Sequence, residues 1–295
     1  MYNIQGYFEA YTVGEATAQL ADHPTLKIIA GGTDVLIKMQ SGQIEEAELL
    51  SIRNIKALES IRKLADGTLI IGPLATFSQI FNDPIIKENL PTLAEAAISM
   101  GGPQIRNIAT VGGNVCNGAT SADSAATLFT LNALLELQSS QGLRVIPIQE
   151  FYLGPGQVAL KPGEILTALK ITSENYLGFG GHYIKFAMRK AMDIATLGVS
   201  VLCKLNNEGN IFEEVRIGLG VAGPVPLRCT EAEGYALGKT VSADSLAEIG
   251  KLAVKASQAR TSWRASKEYR EHLIEELTQR ALKIAINKAG GAEIA

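Results

Sequence analysis

Cysteine, histidine and tryptophan are scarce in this 295-residue chain, at three, three and one. Cys116, Cys203 and Cys229 are odd in number and far apart, which argues against a disulfide framework and fits a reducing compartment. An iron–sulfur cluster takes about four thiolates, and His23, His182 and His272 are scattered, so no metal site is expected on this chain. Apolar runs of about 18 residues are missing, so no membrane span is expected. Met1 to Gly6 lack the basic-then-apolar pattern of an export signal, and a cytoplasmic location is the expectation. Charged residues are only 19%, the net charge is -3, and no Lys/Arg patch forms, which argues against a nucleic-acid partner. The P-loop pattern G-x-x-x-x-G-K-[ST] is absent as well.

Apolar residues are plentiful at 46%, enough for the cores of roughly two domains. Glycine is high: 29 residues, about 10% against a usual ~7%. Five doublets stand at Gly31-Gly32, Gly101-Gly102, Gly112-Gly113, Gly180-Gly181 and Gly290-Gly291. Paired glycines let backbone approach a ligand closely.

Thr12 and Glu15 read as a capping box opening a helix to about Asp22. The run from Leu26 to Ala30 suits a buried strand, and the glycine turn after it leads into a new element at Val35. The first fifty residues thus read as a small α/β unit. A strand is expected at 68–72, helices at 76–81 and 91–100, and strands at about 133–138, 143–148 and 165–171. The stretch 104–114 is too glycine-rich for a plain helix and too polar for a buried strand. Strands follow at 182–188, 196–205 and 215–221, the last two joined by an Asn206–Gly209 hairpin turn. Ser242 and Ser266 each open a helix, the second running to Lys288. A sheet followed by helices is an α+β pattern. The boundary falls near 173–182.

Gly218-Leu219-Gly220-Val221-Ala222-Gly223 spells G-x-G-x-x-G, but Pro224 and Pro226 forbid the helix a dinucleotide fingerprint needs. It reads as a strand that bends or packs closely. Ala30-Gly31-Gly32-Thr33-Asp34 is more informative, because successive N–H groups in a glycine turn can bind a phosphate. A plain tight turn is the alternative. Thr110-Val111-Gly112-Gly113-Asn114-Val115-Cys116-Asn117 is a second such segment, about eighty residues on. Asp123 follows it and suits sugar or ribityl hydroxyls, or else caps the next helix. Together the two loops suggest a ligand with a phosphate part and a polyol part. Lys185 and Arg189 share a strand face if the strand runs that far, as functional cations or as ordinary surface charges. Trp263 lies among Arg260, Arg264 and Arg270, which fits an interface hot spot or a buried anchor of the last helix.

These motifs resemble the FAD-binding subunits of molybdenum hydroxylases, most of all those of the bacterial xanthine dehydrogenase type. The resemblance runs nearly end to end. It includes Gly102 to Asn117, Ser121-Ala122-Asp123, Gly163-Glu164-Ile165-Leu166, Lys185 to Ala195, and Ser262 to Arg270. It implies a two-subdomain FAD-binding fold of the vanillyl-alcohol-oxidase/p-cresol-methylhydroxylase type over 1–175, divided near 55. A C-terminal CO-dehydrogenase-flavoprotein-like domain would follow over 176–295. By resemblance, Ala30, Gly31, Gly32, Thr33, Asp34 and Val35 would wrap the FAD pyrophosphate. Thr110, Gly112, Gly113, Asn114 and Asn117 would contact the pyrophosphate and the ribityl end, and Asp123 the hydroxyls. Leu166, next to Ile165, would pack on one face of the isoalloxazine. Met100 stands where some relatives carry an aromatic for the other face; a thioether can pack on a ring. Lys185 would lie at the pyrimidine edge, where a cation stabilises the charge that reduction brings.

The resemblance further implies a molybdopterin-binding large subunit and a [2Fe–2S] small subunit as partners, in a hetero-oligomer that includes the dimer of heterotrimers among its forms. Electrons would arrive from the clusters and leave to NAD⁺, with no acid or base supplied by this chain. Two other readings stay open: a self-sufficient FAD oxidoreductase on the same fold, and a non-catalytic nucleotide-binding assembly module.

Overall fold

The computed structural model describes residues 3–292. Met1 and Tyr2, part of the export-signal reading, and Glu293 to Ala295 lie outside the described residues.

The chain opens with a three-stranded parallel sheet in the order Ile4–Glu9, Ala47–Ser51, Lys27–Ile29. Helix Val13–Asp22 connects the two outer strands, and helix Val35–Gln40 lies in the crossover from Lys27–Ile29 to its parallel neighbour Ala47–Ser51. Thr12 accepts from the Glu15 amide, and Glu15 reaches back to the amide of Tyr11, so the box closes one residue further out than expected. Lys27–Ile29 is half-exposed rather than buried, because it is an edge strand. The buried central strand is Ala47–Ser51.

A five-stranded antiparallel sheet follows, in the order Ile61–Lys63, Leu69–Ile71, Ile165–Ile171, Leu134–Ser139, Gly142–Pro147. Helices Phe77–Asn82, Pro84–Asn89, Pro91–Ser99 and Ala125–Thr130 cover it around a core that includes Phe77, Leu93, Phe129 and Phe151. The stretch 104–114, left between helix and strand by its composition, forms two short helices, Pro103–Arg106 and Val111–Cys116. Thr110 caps the second, which lets a glycine-rich segment hold a turn and a half of helix.

The second half is a four-stranded antiparallel sheet, Gly180–Phe186, Leu197–Leu205, Phe212–Gly220 and Leu227–Arg228, backed by helices Thr230–Ala236, Ala243–Lys255 and Lys267–Lys288. The strand expected to reach Met188 stops at Phe186, so Arg189 lies in a loop and shares no strand face with Lys185. Gly218 and Gly220 are strand residues; a Cβ on Gly218 would stand 2.4 Å from the Ala126 carbonyl oxygen. Gly180 serves close packing too, since a Cβ there would meet the Ala285 carbonyl oxygen at 2.2 Å.

The two halves are stitched by polar contacts. Thr130 and Ser200 hydroxyls lie 3.1 Å apart. Arg216 donates to the Thr130 carbonyl and to the Asn175 side chain, and Arg228 donates to Asn132 Oδ1 at 2.7 Å. Glu95 accepts from the Tyr183 amide and from Lys288 Nζ and lies 2.9 Å from His182 Nδ1.

Candidate functional site

Gly31 brings the two glycine motifs together. A Cβ on it would stand 2.1 Å from the Ile108 carbonyl oxygen, so only glycine lets the first turn lie against the second segment. Gly32 follows at φ +77°, a left-handed conformation that side chains disfavour. Among the described residues, the amides of Gly31, Gly32, Thr33 and Asp34 donate to no protein acceptor. Successive unbonded N–H groups of this kind form an anion-binding concavity. Beside them opens a cavity of about 130 Å³ lined by Ala30, Gly31, Arg53, Gln79, Asn107 and Thr110.

The second glycine segment works differently from the expectation. Its amides are already bonded: Val111 to the Ala75 carbonyl at 3.0 Å, Gly112 to that of Pro73 at 2.8 Å, and Gly113 to Thr110 Oγ1 at 3.1 Å. Gly112 is required by packing, since a Cβ would stand 2.4 Å from Pro73 Cβ. Side chains are what remains to offer. Asn114 accepts from Ser124, and Asn117 Oδ1 accepts from Lys38 Nζ at 2.6 Å. Lys38 stands on helix Val35–Gln40, which the first glycine turn launches.

Asp123 caps no helix; Ser124 holds that position. Its carboxylate is buried and accepts from Lys185 Nζ at 2.7 Å, while Tyr183 Oη approaches at 3.5 Å. Burial pushes the Asp123 carboxyl up to about 6, against the pull of the Lys185 ammonium. Lys185 also donates to the Ser99 carbonyl, and it borders a cavity of about 270 Å³ with Ser99, Met188, Arg189 and Asp193. Tyr183, which stands with His182 as a proton-donor candidate for the self-sufficient reading rather than as a cofactor contact, is two residues from Lys185 and shares its strand face.

Residues 2–173 match the family described as FAD binding domain in molybdopterin dehydrogenase. Residues 182–285 match the CO dehydrogenase flavoprotein C-terminal domain. The chain belongs to the FAD-binding subunits of the molybdenum hydroxylases. The xanthine dehydrogenase FAD-binding subunit of Escherichia coli O157:H7 is 43% identical, with 99% of each chain covered. Subunit alpha of the 6-hydroxypseudooxynicotine dehydrogenase complex of Paenarthrobacter nicotinovorans is 30% identical over 96% of this chain and 95% of its own. The carbon monoxide dehydrogenase of Hydrogenophaga pseudoflava, in a structure lacking the Mo-pyranopterin moiety of its cofactor, superposes with a TM-score of 0.92 at 27% identity, covering 98% and 99% of the two chains.

FAD is therefore the cofactor of this subunit, and its residues fit it. The unbonded amides of the Gly31 turn suit a pyrophosphate, and the Asp123 carboxylate suits hydroxyl donors. Met100, Ile165 and Leu166 are each buried and line neither cavity; Ile165 and Leu166 pack into separate cores. Arg53 and Lys38 reach the site without having been singled out in the sequence, where isolated cations carry no signal.

Among the described residues, no group of His, Cys, Asp and Glu could hold a metal ion, and no helix is long and apolar enough to cross a membrane. Burial pushes the thiols of Cys116 and Cys203 up to about 12.

Proposed function

We propose that this subunit carries FAD as the electron outlet of a xanthine-dehydrogenase-like enzyme, receiving electrons from an iron–sulfur partner and passing them to NAD⁺. The observation that carries the reading is the turn Gly31 to Asp34, with its unbonded amides, held against the Thr110 segment by Gly31. Bound FAD supplies the two-electron chemistry that links one-electron clusters to a nicotinamide.

The residues of this chain bind and orient. Ala30 to Val35 hold the pyrophosphate; Thr110, Gly112, Gly113, Asn114 and Asn117 shape the wall that faces it. Asp123 accepts from sugar or ribityl hydroxyls, and Lys185 holds positive charge at the ring's pyrimidine edge. Leu166 beside Ile165, with Met100 opposite, belongs to the apolar surroundings of the ring. No side chain needs to move a proton. Partner subunits carry the molybdopterin and the [2Fe–2S] clusters, and the complex works in the cytoplasm on a purine or related heterocycle chosen at molybdenum. The domain division falls near 175, and Lys185 of the C-terminal domain completes the cofactor site.

The purified chain should show flavin absorbance and release FAD on denaturation. Reduced by dithionite, it should be reoxidised by NAD⁺. A folded sample without FAD would overturn the whole reading; reduced protein that ignores NAD⁺ but reacts with oxygen or a quinone would overturn the acceptor.

A further inference from the structure

The pyrophosphate of FAD carries two negative charges, yet the Gly31 turn offers it only uncharged amides and one hydroxyl. The chain around the turn is acidic. The first fifty residues carry seven carboxylates against two lysines and no arginine. Asp34, exposed and without an ion pair among the described residues, closes the turn itself. Neutral donors hold an anion less firmly than charged ones do, and like charge nearby weakens the grip further. Two cations stand next to the turn, and the protein leaves both unspent.

Lys38 is the first. It lies on helix Val35–Gln40, four residues after Asp34, the spacing at which a helical Asp and Lys ordinarily pair. Among the described residues, no carboxylate pairs with it. The half-buried amine turns instead to Asn117 Oδ1 at 2.6 Å, on the residue that ends helix Val111–Cys116. A single neutral acceptor thus holds the ammonium between the two glycine motifs. Two of its three N–H donors remain.

Arg53 is the second. It follows the central strand Ala47–Ser51 and lines the cavity of about 130 Å³ together with Ala30 and Gly31. Glu59 lines the same cavity but is taken by Lys56 at 2.9 Å. Among the described residues, the Arg53 side chain makes neither a hydrogen bond nor an ion pair. Its planar fork of donors fits phosphate oxygens two at a time.

We propose that Lys38 and Arg53 are the charged partners of the FAD pyrophosphate, and that they set this subunit's preference for a flavin that carries phosphate. The proposal rests on the reading that the Gly31 turn holds the pyrophosphate; it uses no position for the isoalloxazine ring. The turn supplies geometry through bare backbone, and the two side chains supply charge.

The test titrates the flavin-stripped full-length chain with three probes. FAD is the whole cofactor, ADP keeps the two phosphates without the flavin, and riboflavin keeps the flavin without phosphate. Lys38→Gln and Arg53→Gln should each bind FAD and ADP about tenfold more weakly, the loss expected for a hydrogen bond to a charged group, while riboflavin affinity holds. Lys38→Arg should restore most of the loss. Added salt should weaken FAD binding less in the Gln variants than in wild type. Arg53→Gln changes an exposed side chain and keeps the test open if Lys38→Gln unfolds the protein. Wild-type affinity for FAD and ADP in either folded variant, or an equal loss of riboflavin, would overturn the proposal. If Thr33→Val weakens FAD binding while Lys38→Gln and Arg53→Gln do not, the pyrophosphate reading stands and only the charge assignment fails. If all three variants bind FAD as wild type does, that reading fails as well.

Discussion

Lys185 reaches from the C-terminal sheet to Asp123 in the N-terminal half, Nζ to Oδ2 at 2.7 Å, with side chains only 9% and 8% exposed. Two residues given separate roles, one for hydroxyls and one for ring charge, are thus a single buried pair. Asp123 keeps free lone pairs for a hydroxyl while it holds the ammonium in place.

Lys185→Met leaves the carboxylate without its cation. Removing one partner of a buried pair costs ~3–5 kcal/mol, so the melting temperature should drop. With FAD bound, the two-electron potential should fall by about 30 mV, equivalent to ~1.4 kcal/mol for two electrons. Redox titration checks this, and an unchanged potential would remove Lys185 from the flavin's neighbourhood.

Thr33→Val tests the pyrophosphate turn without touching the backbone. The hydroxyl makes no bond within the protein among the described residues, so folding stability should hold. A lost hydrogen bond to a charged group is worth ~1.5–3 kcal/mol, so FAD should bind about tenfold more weakly or worse. Calorimetric titration of the flavin-stripped protein reads the difference. Gly32→Val is a poorer probe, because φ of +77° strains valine there with or without phosphate.

Glu95 predicts an acid-side loss of stability. Burial alone would raise its carboxyl, yet bonds from His182, Lys288 and the Tyr183 amide hold it at about 2, below its ordinary 4.5. A depressed carboxyl contributes stability above its unfolded value, lost as pH falls through the folded one. Wild type should therefore weaken relative to Glu95→Gln as pH drops from about 4.5 towards 2. Urea midpoints across that window measure it, and parallel curves would show that the three donors do not stabilise the ion.

Gly180→Ala should destabilise strongly, by ~1–3 kcal/mol or more, since the added carbon meets backbone on the last helix rather than a movable side chain. Thermal melting reads the effect, which should appear without change in FAD stoichiometry.

Much of this was legible in the chain. The capping residues Thr12, Ser242 and Ser266 fixed helix starts because their chemistry is local. The two glycine motifs pointed to one site because phosphate binding needs bare backbone. Sequence could not show that only the first turn keeps its amides free, since Pro73 and Ala75, which engage the second, come from a distant element. Ile4–Glu9 escaped notice because an exposed edge strand carries little apolar alternation. Arg189 was misplaced because nothing in the sequence marks Phe186 as the strand's last residue.

The seam between the halves has a consequence for descent as well as stability. Thr130 with Ser200, Asn132 with Arg228 and Asn175 with Arg216 each join residues far apart in the chain. A chimaera that takes its first half from one relative and its second from another must inherit these pairs together. Where it does not, buried donors face the wrong partners and the seam between the halves loses these hydrogen bonds.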